Sequence, residues 1–492
     1  MTTSWRGGTW KGVRAGLAMG MILAAASVPA REPVPAADEV ASKVEEYMAA
    51  RVKRDDFSGS ILIARDGQAV VRQGYGLANR EHDVPNSPAT KFRLGSITKQ
   101  FTAMAVLILQ ERGKLKVHDR LRLHLPDAPE SWSEITLHHL LTHTSGIPNY
   151  TSFPEFPKLL PNRLSLEELI GLFRDRPLEF RPGEKFSYSN SGYVVLGAVI
   201  EKASGRNYAA FLKEAILDPA GMRDTGYDNP IPILKHRAAG YTRRLGVVLT
   251  HSDYVDMSLP HAAGALYSTV DDLLKWDRVL ESELLVSRKS LEAMFTPYLE
   301  GYGYGWVIDE VAGAKRYAHG GGIQGFVTSI ERYPEWGLLV VGLSNLETSA
   351  IGPITNDLAA IALGRRYVIP RIPKAVSLEP AVLAALVGEY ETEVAGKGKR
   401  LIVVAREGDR LTCQPQGKAK LVLFPESEST FYVPGADAEA SFVKDQAGRV
   451  ARLVLLQNGV EVVARKVVSS VGKREEAVVS PEAPPAGGDS AP

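Results

Sequence analysis

The chain has 492 residues, of which 45% are hydrophobic and 23% charged. That is the balance of a folded protein of two or three domains, not of a disordered or membrane-embedded one. Its 58 basic and 57 acidic residues nearly cancel, so no basic face is offered to a polyanion, and a single cysteine rules out an intramolecular disulfide.

The first thirty residues have the make-up of a secretory signal. Arg6, Lys11 and Arg14 form a positive flank, Ala15 to Ala26 is apolar, and Val28-Pro29-Ala30 offers a small-residue cleavage site. The apolar run falls short of the roughly 20 residues that span a bilayer. Cleavage near Arg31 is therefore expected, giving a periplasmic or secreted mature chain with no membrane span. Losing this segment removes three cations and no acid, and no cysteine follows it to carry a lipid.

After a Pro/Ala-rich stretch (Arg31 to Ala37), Asp38 to Lys53 has helical spacing. Strand-like runs follow at Ile61 to Ala64 and Ala69 to Arg72, joined by the hairpin signal Asp66-Gly67. Ile97 to Leu109 places Ile97, Phe101, Met104, Ala105 and Ile108 on one helical face and fills the others with Val106, Leu107 and Leu109, which predicts a buried helix ending near Gly113. Further helices are predicted at Leu166 to Arg174, Tyr193 to Ala203, Tyr208 to Leu217 and Val270 to Leu280. Strands are predicted at Tyr304 to Ile308, Val327 to Glu331 and Leu338 to Leu343, and a last helix at Ile354 to Leu363. Helices between strands at both sequence ends imply one α/β unit, over 31–366, whose sheet joins those ends. The composition changes at 367–377, a proline-interrupted linker. Short strand-like runs from Arg400 to Lys466, with turns at Gly408-Asp409 and Asn458-Gly459, predict a small all-β barrel or sandwich over 378–470. Cys413 alternates with polar neighbours and is read as a buried apolar residue of that domain. The segment 471–492, rich in Pro, Ala, Glu and Gly, reads as a disordered tail.

Chemistry is concentrated in three places. Ser96-Ile97-Thr98-Lys99 puts a hydroxyl and an amine one helical turn apart, and a lysine against apolar surface can lose its proton and serve as the base that serine needs. Tyr188-Ser189-Asn190, after the turn Pro182-Gly183-Glu184, adds a phenol able to relay a proton and a side-chain amide. His319-Gly320-Gly321-Gly322, ahead of the strand at Val327, is read as a loop whose free backbone N–H groups suit a developing oxyanion.

Taken in order, Phe92-Arg93-Leu94-Gly95-Ser96-Ile97-Thr98-Lys99, Leu140-Leu141-Thr142-His143-Thr144-Ser145-Gly146-Ile147, Tyr188-Ser189-Asn190 and His319-Gly320-Gly321 resemble the serine β-lactamase and penicillin-binding-protein superfamily. The resemblance runs from about Phe57 to Leu363, includes Ala263-Gly264-Ala265-Leu266-Tyr267-Ser268, and is nearest the esterase, D-aminopeptidase and class C β-lactamase branch. It implies a serine hydrolase domain with an antiparallel sheet flanked by helices, ahead of the β domain. It further implies a nucleophilic Ser96, general acid–base work shared by Lys99 and Tyr188, and a bracing role for His143. Asn190, His319, Gly321 and Gly322 would bind substrate, with an oxyanion hole made by the N–H groups of Ser96 and Gly322. The expected substrates are small esters or D-amino-acid peptides, cleaved through an acyl-serine without cofactor or metal. The alternatives are a penicillin-recognising sensor without turnover, and a β-lactamase. The last is disfavoured because His319 stands where many members carry lysine, so a fixed cation for a carboxylate is missing.

Other readings are weaker. No Gly-x-Ser-x-Gly elbow accompanies the His319 motif, strand-like residues rather than a helix follow Gly320, Gly322 and Gly325, and His138, His139 and His143 have no acidic partner for a metal. Tyr302, Tyr304 and Trp306 are read as strand packing. N-terminal sequencing of exported material should return a chain starting near Arg31; an intact Met1 would contradict cleavage.

Overall fold

The structure, a computed structural model, describes residues 34–467 apart from 245–247, 312, 372–375, 395–397, 419, 434–437 and 458–459. The signal segment, the tail and the Asn458-Gly459 turn lie outside the described residues.

Helix α1 (Ala37–Lys53) leads into the hairpin β1 (Gly59–Arg65) and β2 (Gln68–Tyr75). Asp66 and Gly67 both take positive φ, 49° and 71°, as the tight primed turn requires. The chain then leaves the sheet for a helical region containing α2 (Thr98–Glu111), α3 (Asn190–Ser204) and α4 (Val270–Glu281). It returns through β3 (Val307–Val311), β4 (Ala314–Ile323), β5 (Phe326–Tyr333) and β6 (Leu338–Ser344), and ends on α5 (Ile351–Ala362). The six strands form one antiparallel sheet in the order β3-β4-β5-β6-β1-β2, with Gly59 opposite Ser344. The two ends of the domain thus meet in mid-sheet.

Both faces of that sheet are covered, which explains why β1 and β6 are apolar runs and not alternating ones. Leu339, Val341 and Leu343 join the core that holds Trp276 of α4. On the other face Gly342 lies against Ile351 and Thr355 of α5, where an added Cβ would come within 2.7 Å. Helix α2 sits deepest, buried at every residue from Thr98 to Leu109.

Three expectations change. The strand predicted from Tyr304 starts only at Val307, because Gly305 (φ 76°) turns the chain and Gly303 N–H bonds back to the Trp306 carbonyl at 2.8 Å; Tyr302, Tyr304 and Trp306 are buried, but in a loop. His319 to Gly322, read as a loop, are the last turn-free part of β4, paired with Ile330, Ser329, Thr328 and Val327. Gly321 answers to close packing from outside the sheet, by the Leu94 carbonyl, which no local pattern reports. Helix α3 begins at Asn190, three residues before the first periodic apolar position.

Beyond 375, helix α6 (Pro380–Leu386) precedes eight antiparallel strands that close into a barrel: β7 (Gly388–Val394), β8 (Gly398–Glu407), β9 (Arg410–Pro415), β10 (Leu421–Pro425), β11 (Thr430–Val433), β12 (Ala438–Lys444), β13 (Val450–Gln457) and β14 (Val460–Lys466). β7 pairs with both β8 and β14, so no edge is left open. Leu411 and Cys413 point into its core with Phe431 and Phe442, and Leu383 and Leu386 of α6 join them. Burial pushes the Cys413 thiol up to about 11, so it is an inert packing group.

The apolar core around α2 and that of the barrel share no residue. Polar contacts run between these parts: Arg54, just after α1, bonds the Tyr432 hydroxyl of the barrel and the Arg371 carbonyl of the linker, and Arg371 pairs with Glu426 at 2.6 Å and Glu439 at 3.0 Å. Exposed ion pairs of this kind contribute at most about 1 kcal/mol each. A chain ending at Tyr367, which keeps the Tyr47–Tyr367 ring contact, should therefore unfold as cooperatively as the full chain; aggregation of that fragment would show the domains to be interdependent.

Candidate active site

Ser96 lies in a single 3₁₀ turn, Gly95–Ile97, that feeds directly into α2. Gly95 has φ 55°, and a Cβ there would stand 2.8 Å from the Gly322 nitrogen, so only glycine fits. One turn on, the Lys99 amine is within 2.9 Å of Ser96 Oγ, 2.8 Å of Asn190 Oδ1 and 2.8 Å of the Ala263 carbonyl oxygen. It also sits over the rings of Tyr188 and Tyr193, 4.8 and 5.4 Å from their centroids. Lys99 is fully buried and has no carboxylate partner among the described residues, and desolvation holds it well below the usual lysine range. A neutral amine has two N–H groups and one lone pair. The carbonyl of Ala263 and the Asn190 side-chain oxygen can only accept, so they take the two N–H groups and the lone pair is left for the Ser96 O–H.

Tyr188 is half-buried near Ser96; burial raises its phenol above the usual range, which keeps it protonated at neutral pH. Its position is set by His143, whose ring packs against it at 4.1 Å between centroids. His143 takes φ 56°, accepts the Ser189 N–H on Nδ1 at 3.1 Å, and accepts the Ser187 N–H on its carbonyl at 2.9 Å. The segment carrying Tyr188 is thereby clamped on both sides of that residue. Asn190 caps this arrangement from the first turn of α3, its Nδ2 donating to Thr151 Oγ1 at 3.1 Å.

The third motif approaches from the sheet. β3 pairs only with Ala314–Ala318 of β4, so from His319 to Ile323 the outer side of β4 is turned to the Gly95-Ser96 turn. A Cβ on Gly321 would lie 1.9 Å from the Leu94 carbonyl oxygen and 2.3 Å from Thr328 Oγ1, the hydroxyl that donates to that same carbonyl at 2.7 Å. His319 is buried, with Nδ1–H donating to the Gly320 carbonyl at 2.6 Å and Nε2 accepting from the Tyr302 hydroxyl at 2.8 Å. Burial, with Lys99 nearby, pushes its pKa down to about 4. His319 is neutral, and both nitrogens are engaged within the protein.

Of the residues singled out in the sequence, Ser96, Lys99, Tyr188 and Asn190 meet around one amine, and Gly322 faces Ser96 across a cleft of about 480 Å³. His319 and Gly321 stand behind that cleft and shape it. His138 and His139 do not enter it: one bonds the Tyr304 hydroxyl at 2.9 Å and the other caps the helix Leu137–Leu141. Three participants carry no sequence signal: the carbonyl of Ala263, Thr151, and Glu347, which lines the cleft from the loop after β6. A carbonyl has no residue type, and neither Thr151 nor Glu347 belongs to a recurring spacing.

The family description Beta-lactamase matches residues 40–364. The chain is 30% identical to "Penicillin-binding protein 4*" of Bacillus subtilis (strain 168), over 79% of its own length and 91% of that protein's. Among solved structures it resembles the octameric penicillin-binding protein homologue from Pyrococcus abyssi, with TM-score 0.62 and 29% identity over 86% of this chain and 99% of that one. It also resembles a D-stereospecific amidohydrolase from Streptomyces sp., with TM-score 0.55 and 25% identity over 68% and 100% of the two chains.

The spacing of β4 from the Gly95-Ser96 turn sets the geometry of the cleft. Gly321→Ala should cost about 10² in turnover by pushing the two apart, whereas Gly320→Ala, whose Cβ would make only an ordinary contact at 3.6 Å, should stay near wild type. Equal rates for the two variants would refute the constraint.

Proposed function

This chain belongs to the beta-lactamase family and is a serine hydrolase of the β-lactamase and penicillin-binding-protein kind; on that premise we propose that it hydrolyses esters or amides of D-amino acids outside the cytoplasm, through an acyl intermediate on Ser96. One observation carries the reading: the buried Lys99 amine, held by two acceptors, turns its lone pair to the Ser96 hydroxyl.

In the proposed reaction Ser96 Oγ attacks the substrate carbonyl while its proton passes to Lys99. The oxygen that becomes negative is received by the N–H groups of Ser96 and Gly322. Tyr188, protonated beside Ser96, gives its proton to the departing amine or alcohol and is reprotonated from Lys99, so the acyl-enzyme forms with both groups reset. Water then repeats the sequence in Ser96's former role and releases the acid. The likeness to a D-stereospecific amidohydrolase supports D-amino-acid substrates, and the leader supports export.

The β-lactamase reading is disfavoured by the same chemistry. His319 is neutral with both nitrogens occupied, and among the described residues the cleft lining contains no lysine or arginine for a carboxylate. The sensor reading draws on the penicillin-binding name of the Bacillus relative and predicts a stoichiometric burst with no steady phase. A panel of p-nitrophenyl esters, D- and L-aminoacyl amides and a chromogenic cephalosporin separates the three.

Ser96→Ala should abolish labelling by a fluorophosphonate, while Lys99→Ala and Tyr188→Phe should each slow acylation by about 10² to 10⁴. The double variant should lose no more than the worse single one, since both serve one proton transfer. Because Lys99 acts as the neutral amine, the rate should fall as pH drops through its lowered pKa, and that acid limb should vanish in Lys99→Ala. Persistent labelling of Ser96→Ala would require another nucleophile.

A further inference from the structure

The cleft that holds Ser96 has a carboxylate in it. Glu347 lines the cleft with Gly322, Ile323 and Gln324, and among the described residues it is the one acidic or basic side chain of the lining. Its Oε2 accepts the Ser252 hydroxyl at 3.0 Å and the Gly325 N–H at 3.3 Å. Its Oε1 has no hydrogen-bond partner among the described residues, and no Lys, Arg or His of those residues stands within ion-pair distance. Phe156, Val255, Leu259, Pro260 and Val327 make up the apolar part of the same lining.

A half-buried carboxylate held through one oxygen, on the lining of a mostly apolar cleft, lacks the counter-charge that buried carboxylates ordinarily have. The cleft supplies none: Lys99 is spent on Ser96, Asn190 and Ala263, and His319 is neutral. A ligand bearing a cation would supply it. We propose that Glu347 is a specificity-determining residue that pairs with the ammonium group of the substrate, so that the cleft selects acyl compounds bearing a free amine and an apolar side chain over their N-acylated forms. The proposal deepens the reading of Ser96 as nucleophile and rests on it.

The same two hydrogen bonds also tie Glu347 to the β4–β5 hairpin that carries Gly322, so truncation to alanine would confuse charge with position. Glu347→Gln separates them, because its amide oxygen can still accept from Ser252 and Gly325 while the charge is gone. Three substrates are to be compared on the full chain: D-phenylalanine p-nitroanilide, its N-acetyl derivative, and the neutral ester p-nitrophenyl butyrate. The wild type should favour the free amine by about 10- to 100-fold in kcat/KM, the range of one charge-assisted hydrogen bond. In Glu347→Gln that preference, taken as the ratio of the two anilides within the variant and referred to its own butyrate rate, should collapse through KM. An unchanged preference in the variant, or none in the wild type, overturns the proposal. If butyrate is hydrolysed without amine preference, only the role of Glu347 fails; if neither butyrate nor a fluorophosphonate reaches Ser96, the reading of the site fails as well. Should the variant misfold or neither anilide be cleaved, inhibition of wild-type butyrate hydrolysis by phenethylamine and by N-acetylphenethylamine decides the point, and equal inhibition constants overturn the proposal.

Discussion

Lys99 is fully buried in the first turn of a helix that is buried on every side, with no carboxylate among the described residues to hold its charge. Leaving an unpaired ammonium there would cost several kcal/mol, so the amine gives up its proton instead. The surroundings fit that outcome: two obligate acceptors, from Asn190 and Ala263, take the two N–H groups and align the lone pair. A solvated helix with the same Ser-x-x-Lys spacing would carry a charged lysine and an ordinary serine. The apolar bulk of α2 is therefore part of the chemistry as well as of the core.

A buried base is useful only if a substrate can reach the serine beside it. The fold solves this at the end of the sheet, where β4 runs past its neighbour β3 and lies against the Gly95-Ser96 turn. Three glycines make the approach possible: Gly95 for its backbone angle, Gly321 because the Leu94 carbonyl occupies the space of a side chain, and Gly325 for the hairpin that returns the chain. Helical and sheet parts, separated by some two hundred residues of chain, meet there with backbone against backbone. Serine, phenol and glycine edge come from three distant segments because each brings a different kind of rigidity: a helix start, a clamped loop and a strand.

The resulting centre is almost free of formal charge. A neutral amine, a protonated phenol and a neutral imidazole surround Ser96, so protons can move among them without large changes in solvation. His143 and His319 act as neutral struts, each receiving or giving hydrogen bonds that fix its ring. Against this background a single carboxylate on the wall has more influence on ligand choice than it would on an exposed surface, where water would screen it.

Much of this was open to reading in the sequence. The apolar run from Ile97 to Leu109 announced a buried helix, the spacing of Ser96 and Lys99 placed them on one face, and Asp66-Gly67 and Gly408-Asp409 marked hairpins that the structure contains. These depend on neighbours within a turn or a strand, which is the range over which a sequence reports its own geometry. The β domain was legible in the same way, though its first strand and the helix Pro380–Leu386 lay upstream of the recognisable pattern. Other features had no local cause. The glycines at 320–322 look like a flexible loop and are a strand paired with β5, and at Gly321 the atom that excludes a side chain belongs to Leu94. Tyr302 and Trp306 look like a strand and are a loop. The neutral state of Lys99, the orientation of Tyr188 by His143 and the entry of Glu347 into the cleft depend on contacts between segments far apart in the chain. Residue types and short spacings decided which groups this protein has and which elements carry them; burial and long-range contact decided their protonation and what they face, because desolvation and close packing are properties of the assembled interior and not of any stretch of the chain.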